Sequence, residues 1–167
     1  MEAHTKELFS EFMSQLKETN ATLDFFCDFK KIQANVEAIS IKLNQLNYLI
    51  GQEDLDAAIR RLWEENKNVF SILEILIAVR TSDKKMTIMP DGSVRLLSTF
   101  FESVEGVIEY IHGTGLDEVF KNKQIKNLVD YVFGVETGLD TNARKNRSGH
   151  LMEGQVASIF NRAGIAY

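Results

Sequence analysis

The segment 140–149, DTNARKNRSG, combines cations with short polar side chains in a way that suits nucleic-acid binding. An arginine donates two hydrogen bonds to the major-groove edge of guanine, and an asparagine pairs with adenine in the same bidentate manner. A lysine suits a phosphate group. A solvated basic loop is the alternative explanation for the same composition. The candidate DNA contacts are Asn142, Arg144, Lys145, Asn146 and Arg147.

The surroundings of this segment predict a loop that leads into a helix. The polar stretch 134–149 contains three glycines and shows no apolar period, which is typical of a loop. Helical spacing returns over 151–163, and Gly164 suits the end of that helix. If the helix begins near Ser148, its first N–H groups are available to a phosphate.

The charge of the chain is distributed unevenly between its two ends. The net charge is -5, but residues 1–120 carry 12 bases and 20 acids, whereas residues 121–167 carry 7 bases and 4 acids. An acidic body with a basic C-terminal stretch hints at an anionic partner, although uneven surface charge also arises without a function. The asymmetry is consistent with DNA binding and does not establish it.

Other residues that could do chemistry have simpler explanations. Pro90-Asp91 matches the first pair of a metal-dependent nuclease motif, but Gly92 follows and no acid-x-Lys stands at suitable strand spacing, so a turn is favoured. The three histidines show no metal-ligand spacing. Cys27 has no histidine near it in sequence, which favours a buried bystander over a nucleophile.

The elements that position these residues are predicted to be mainly helical. Apolar residues recur at helical spacing along most of the chain, and only Met86–Leu97 has the composition of a β-hairpin. The segment VFSILEILIAVR is apolar on nearly all sides and is expected at the centre of the fold. The predicted helices are 5–18, 32–50, 53–65, the segment after Asn68, 98–111, 116–120, 124–133 and 151–163.

Composition limits the class of protein. With 167 residues, 44% hydrophobic and 26% charged, the chain has an ordinary globular composition of one domain or a little more. A single cysteine excludes a disulfide framework and a cysteine-based zinc site. No apolar run is long enough to span a membrane, and the N-terminus does not resemble a signal peptide, so a cytoplasmic location is expected.

Four stretches of the chain resemble one enzyme family. They are KNLVDYVFGVETGLDTNARKNRSGHLME (126–153), TNATLDFFCDFKKIQANV (19–36), KLNQLNYLIG (42–51) and FSILEILIAVR (70–80). In these segments the chain resembles the MboI/DpnII group of type II restriction endonucleases. The resemblance covers nearly the whole chain.

The resemblance implies a bacterial enzyme that cleaves double-stranded DNA at GATC. It implies Mg²⁺-dependent hydrolysis by a PD-(D/E)xK nuclease, acting as a homodimer on a two-fold site. It also implies that family members continue past the position of Tyr167 and carry their main catalytic acids there. Glu153 matches an acid on the helix before the catalytic strands, although an ordinary exposed glutamate explains it equally well. No metal ligand is assigned in this stretch.

The resulting architecture is mainly α, a bundle-like multi-helix domain with one short β-hairpin that runs into the start of an α/β PD-(D/E)xK core. We expect residues 1–133 to form a helical scaffold domain. Residues 134–167 would supply the basic DNA-contacting loop and the first helix of the nuclease core. The strand-like residues 165–167 suggest truncation, so this stretch alone is expected to be catalytically inactive. A non-catalytic DNA-binding module and a helical protein-interaction domain are the alternatives.

Overall fold

The computed structural model describes residues 2–15, 23–80, 84–89, 92–162 and 164. They divide into two compact units, one formed by residues 1–29 with 137–167 and the other by residues 30–136. No helix in these described ranges is long and apolar enough to cross a membrane.

The secondary structure of the described residues is mainly α, as predicted. The α-helices are α1 (Glu2–Gln15), α2 (Leu23–Phe26), α3 (Phe29–Leu46), α4 (Leu55–Asn66), α5 (Val104–Thr114), α6 (Leu116–Lys121) and α7 (Leu128–Arg162). Three 3-10 segments, Asn47–Leu49, Lys67–Ile77 and Leu97–Glu102, join or extend them. Two short strands, β1 (Met86–Ile88) and β2 (Val94–Leu96), pair in an antiparallel sheet.

The apolar segment 67–77 lies in the core of the 30–136 unit. Seven of its eleven side chains are buried, at Val69, Phe70 and positions 72–76, which confirms the central position predicted from its composition. It is a 3-10 segment that begins after Asn66, whose side chain accepts a hydrogen bond from the Asn68 N–H. The segment therefore begins two residues earlier than the start predicted after Asn68. Other buried residues of this unit are Ile32, Leu43, Leu46, Leu49, Ile59, Val107, Ile111, Phe120 and Leu128.

The stretch 134–149 is helical, so the predicted loop is wrong. Helix α7 runs through it without a break, and it also joins the separate helices predicted at 124–133 and 151–163. Glycine costs about 1 kcal/mol relative to alanine inside a helix. Buried polar contacts made by this part of α7 offset that cost, because Glu136 and Asp140 are both buried and hydrogen-bonded.

Glu136 is held by two side chains of its own unit. The Arg80 guanidinium donates to it from Nη2 at 2.9 Å, and the Asn35 amide donates at 3.0 Å. A buried carboxylate needs such partners, because an unpaired charge away from water is costly. These contacts fix the part of α7 up to residue 136 against the 30–136 unit.

His112 joins three helices in the 30–136 unit. Its Nε2 lies 2.8 Å from a carboxylate oxygen of Asp56 on α4, and its Nδ1 lies 3.1 Å from one of Asp117 on α6. The hydrogen bond with Asp56 is the main cause that raises the pKa of His112 above its ordinary 6.5. The protonated ring can donate to both carboxylates at once.

We expect the stability of this unit to fall as the pH rises through the raised pKa of His112. The folded state binds the proton more tightly than the unfolded chain, so the stabilisation is complete below pH 6.5 and lost above the folded pKa. Because these side chains are partly exposed, the effect is below about 1 kcal/mol. Melting temperatures measured between pH 5 and 9 should show this slope in the unmodified chain and in a His4→Gln control. In His112→Gln the slope should disappear, and a slope that persists would contradict the assignment.

Candidate nucleic-acid interface

Asn142, Lys145 and Asn146 form one exposed face of α7, which we call the Asn–Lys face. All three side chains are exposed. Positions i, i+3 and i+4 are neighbours on a helix, and at about 100° per residue these three lie within about 100° of arc. The face presents two amides that can donate and accept, with one ammonium group beside them.

Arg144 lies on a different side of the helix and is engaged with two carboxylates. Its Nε donates to Asp140 at 2.7 Å, and its Nη2 is 3.8 Å from a carboxylate oxygen of Asp28. The hydrogen bond to Asp140 is the main cause that raises the pKa of Arg144. The structure therefore separates Arg144 from the Asn–Lys face.

Asp140 and Thr141 tie α7 to residues 26–28 within one unit. The buried Asp140 carboxylate accepts a hydrogen bond from the Asp28 N–H at 3.0 Å as well as from Arg144. The Thr141 hydroxyl lies 3.0 Å from the carbonyl oxygen of Phe26. We call these contacts the 26–28 junction. Because Asp140 and Thr141 directly precede Asn142, these contacts help to set which side of the helix the Asn–Lys face lies on.

Cys27 lies inside the 26–28 junction. It is buried, and burial raises the pKa of its thiol, with the nearby Asp140 charge acting in the same direction. A raised pKa keeps the thiol protonated, which agrees with the prediction of a bystander and not of a nucleophile.

The predicted phosphate site at a helix N-terminus near Ser148 is wrong. Residue 148 lies within α7, so its N–H is in the middle of a helix and not among the free donors of a first turn. The side chains of Arg147 and Ser148 lie outside the described part of the structure, as do Pro90 and Asp91. The assignment of Arg147 as a DNA contact stays a prediction.

Glu153 is an exposed helical residue. Its carboxylate lies 3.6 Å from Nδ1 of His150, and both side chains are about 80% exposed. Across the described residues, no group of three or more His, Cys, Asp or Glu side chains is placed to hold a metal ion. Glu153 lies well inside the continuous helix α7, so the prediction of a separate helix over 151–163 around it is wrong.

Comparison with known proteins finds one family. The family model for the DpnII restriction endonuclease matches residues 8–167. The chain is 51% identical over 162 residues to the type II restriction enzyme MboI of Moraxella bovis, covering 97% of this chain and 58% of that protein. It is 44% identical over 156 residues to MjaIII of Methanocaldococcus jannaschii, covering 89% and 53%.

A third relative is more distant. The type II restriction enzyme DpnII of Streptococcus pneumoniae is 33% identical over 160 residues, covering 93% of this chain and 54% of that protein. The chain spans about half the length of the curated relatives that it matches. No solved structure gives a significant match.

Proposed function

Because this chain belongs to the DpnII restriction endonuclease family, we propose that it is the N-terminal portion of a type II enzyme that cleaves double-stranded DNA at GATC. In this proposal the stretch described above supplies scaffold and DNA contacts, and the complete enzyme acts as a homodimer on its two-fold site. The relatives named above are each called type II restriction enzymes, which supports a nuclease.

The observation that carries the proposal for this stretch is the Asn–Lys face. Two asparagines one helical turn apart can pair with the N6 and N7 atoms of adenine, and Lys145 can bind a phosphate beside them. The B-DNA major groove admits an α-helix. Gly138 and Gly149 are exposed on the same part of α7, and a Cβ at either position would meet nothing within 4 Å. The backbone there has no bulky side chain that would keep the groove at a distance.

Arg144 takes a supporting role in this proposal. Its Nε and Nη2 are directed at carboxylates, so it contributes chiefly by fixing the 26–28 junction. Residue type and the family resemblance of this stretch predict both Arg144 and Arg147 as DNA contacts. Among the predicted contacts whose side chains the structure describes, Asn142, Lys145 and Asn146 are exposed, as direct contact requires.

Magnesium does not fit the described residues. Glu153 lies beside His150, no metal-holding group of acids and histidines occurs among the described residues, and a Mg²⁺ site needs several oxygen ligands in near-octahedral geometry. We propose that Mg²⁺-dependent hydrolysis uses ligands from the part of the complete enzyme that corresponds to the other half of its relatives' length. The role of Glu153 as a catalytic residue stays a prediction.

The test of this function is binding and cleavage of a GATC duplex beside a scrambled duplex. We expect the 167-residue chain to bind the GATC duplex preferentially and to leave both duplexes intact in Mg²⁺. Cleavage by this chain alone would contradict its proposed inactivity. Sequence-independent binding would favour a non-specific DNA-binding module, and absence of binding would favour a protein-interaction domain.

Replacing Lys145 by glutamine should weaken binding to all duplexes alike. A lysine that neutralises one phosphate adds about one unit to the slope of log affinity against log salt concentration. Titrations between 50 and 300 mM salt should therefore give a slope that is smaller by about one in Lys145→Gln. Lys67→Gln, which removes an exposed lysine elsewhere, is the matched control and should leave the slope unchanged. Equal slopes in all three proteins would place the phosphate contact elsewhere.

A further inference from the structure

The second half of α7 carries an open apolar groove, which we call the α7 groove. It has a volume of about 500 Å³ and is lined by Gly149, Met152, Glu153, Val156, Ala157 and Phe160. These positions have the spacing i, i+3, i+4, i+7, i+8 and i+11, which is the stripe that an amphipathic helix packs against a neighbour. Met152 is 47% exposed and Val156 is half-buried. The groove is therefore a packing surface that the described residues cover only in part.

An ion pair holds α1 towards a different side of α7. The Arg162 guanidinium donates from Nη1 to the Glu11 carboxylate on α1 at 3.0 Å. Arg162 follows Phe160 by two residues, which is about 200° around the helix. This contact within the unit therefore fixes α1 and leaves the α7 groove open to another element.

The charge around the α7 groove favours polypeptide over DNA as its occupant. Residues 149–161 contain one acid, Glu153, and no lysine or arginine, and residues 2–15 of α1 contain three acids and one lysine. His150 lies beside Glu153, 3.6 Å from its carboxylate. A surface that binds DNA neutralises phosphates with lysine and arginine, and this part of the unit does not supply them. Apolar side chains of another polypeptide segment suit the groove.

The α7 groove lies on the same side of the helix as the Asn–Lys face. Asn142 and Phe160 are eighteen residues apart, which is five turns of 3.6 residues, and Met152 follows Lys145 by seven residues, or nearly two turns. Along the helix axis, Met152 and Val156 are about 9 and 15 Å beyond Asn146. A four-base-pair site is about 14 Å long, at about 3.4 Å per step. A segment bound in the groove would therefore lie directly beside DNA held by the Asn–Lys face.

We propose that the α7 groove binds the catalytic portion of the complete enzyme. This inference rests on the proposed function, in which that portion corresponds to the other half of the relatives' length. No group of side chains placed to hold a metal ion occurs among the described residues, so the catalytic portion must bring its ligands to the DNA that the Asn–Lys face contacts. Packing in the groove holds the catalytic portion within the length of the site.

The test measures oxidation of Met152 by hydrogen peroxide in the 167-residue chain and in the complete enzyme expressed from the uninterrupted gene. Peroxide converts an accessible methionine to its sulfoxide, so we expect oxidation of Met152 to be about tenfold slower in the complete enzyme. Met13 is the matched control, because it is 51% exposed on α1 and should react equally in both proteins. Mass spectrometry of peptides reports the two methionines separately.

A neutral variant connects the covering of the groove with cleavage. Met152→Gln should leave the melting temperature and the GATC binding of the 167-residue chain unchanged, because the side chain is exposed there. In the complete enzyme it should lower the cleavage rate by about tenfold, since an amide buried without partners weakens the packing. Met13→Gln should leave all three measurements unchanged.

The outcomes separate this inference from the proposed function. Protection of Met152 but not of Met13, together with loss of cleavage in Met152→Gln, would support the inference. Equal oxidation of Met152 in a complete enzyme that cleaves GATC would overturn the inference and leave the proposed function intact, and so would equal protection of Met13. A complete protein that cleaves no GATC duplex would overturn the proposed function. Protection of Met152 in the 167-residue chain at high concentration, or on addition of a duplex, would place a second copy or DNA in the groove and contradict the proposal.

Discussion

Replacing Asp140 by alanine is expected to lower the free energy of unfolding by about 3 kcal/mol, since losing one partner of a buried ion pair leaves the other charge uncompensated. The change would remove the acceptor for both the Asp28 N–H and the Arg144 guanidinium. Urea denaturation should report the loss, and amide exchange should place it in residues 137–162, which belong to the affected unit. Asp130→Ala, at an exposed position of the same helix, should cost less than about 1 kcal/mol.

A double variant separates the ion pair from the rest of the junction. If most of the cost comes from leaving Arg144 unpaired, Asp140→Ala combined with Arg144→Met should be less destabilised than the sum of the two single variants. Strict additivity would mean that Asp140 acts mainly through the Asp28 N–H. A loss below 1 kcal/mol for Asp140→Ala would contradict the assignment of this buried carboxylate as a main support of α7.

The elements that the sequence predicted correctly are those whose signals are local. The hairpin was predicted from its strand composition and from Gly92, and Gly92 has a φ of 82°, which a residue with a side chain rarely adopts. At the predicted end of the second helix, Gly51 has a φ of 76°, although α3 itself ends at Leu46 and is extended to Leu49 by a 3-10 segment. In both places the glycine and the residues next to it determine the backbone conformation.

The helical state of 134–149 could not be predicted because its cause is not local. Glycines and polar residues lower the helix propensity of this stretch, whereas its stabilising contacts come from residues far away in sequence. Glu136 bonds to Arg80 and Asn35, and Asp140 bonds to the Asp28 N–H. One signal was available within the stretch, because Asp140 and Arg144 have the i, i+4 spacing of a helical ion pair.

The wrong prediction of a loop over 134–149 also explains why the structural roles of Arg144 and Asp140 were not predicted. In a loop all five predicted DNA contacts could reach a ligand, so residue type was the only criterion. In a helix the 3.6-residue period assigns each side chain to a face. That period separates Arg144 from Asn142, Lys145 and Asn146, and it shows Asp140 as a structural support that composition alone did not reveal.

The combined replacement of Asn142 and Asn146 by alanine should reduce the preference for GATC over a scrambled duplex by roughly a hundredfold. Each bidentate amide–adenine contact contributes about 1–3 kcal/mol of discrimination against the wrong base. Alanine favours a helix more than asparagine does, so the variant should fold at least as well as the unmodified chain. Competition titrations with the two duplexes at one salt concentration would measure the ratio directly.

The salt dependence of binding distinguishes this effect from the loss of a phosphate contact. Asparagine carries no charge, so the double variant should keep the salt slope of the unmodified chain, whereas Lys145→Gln should change the slope and keep the preference. Asn161→Ala, at an exposed asparagine further along the same helix, is the matched control. An unchanged preference in the double variant would exclude the Asn–Lys face as the element that reads the sequence. If Asn161→Ala also loses the preference for GATC, the effect comes from the helix as a whole and not from the Asn–Lys face.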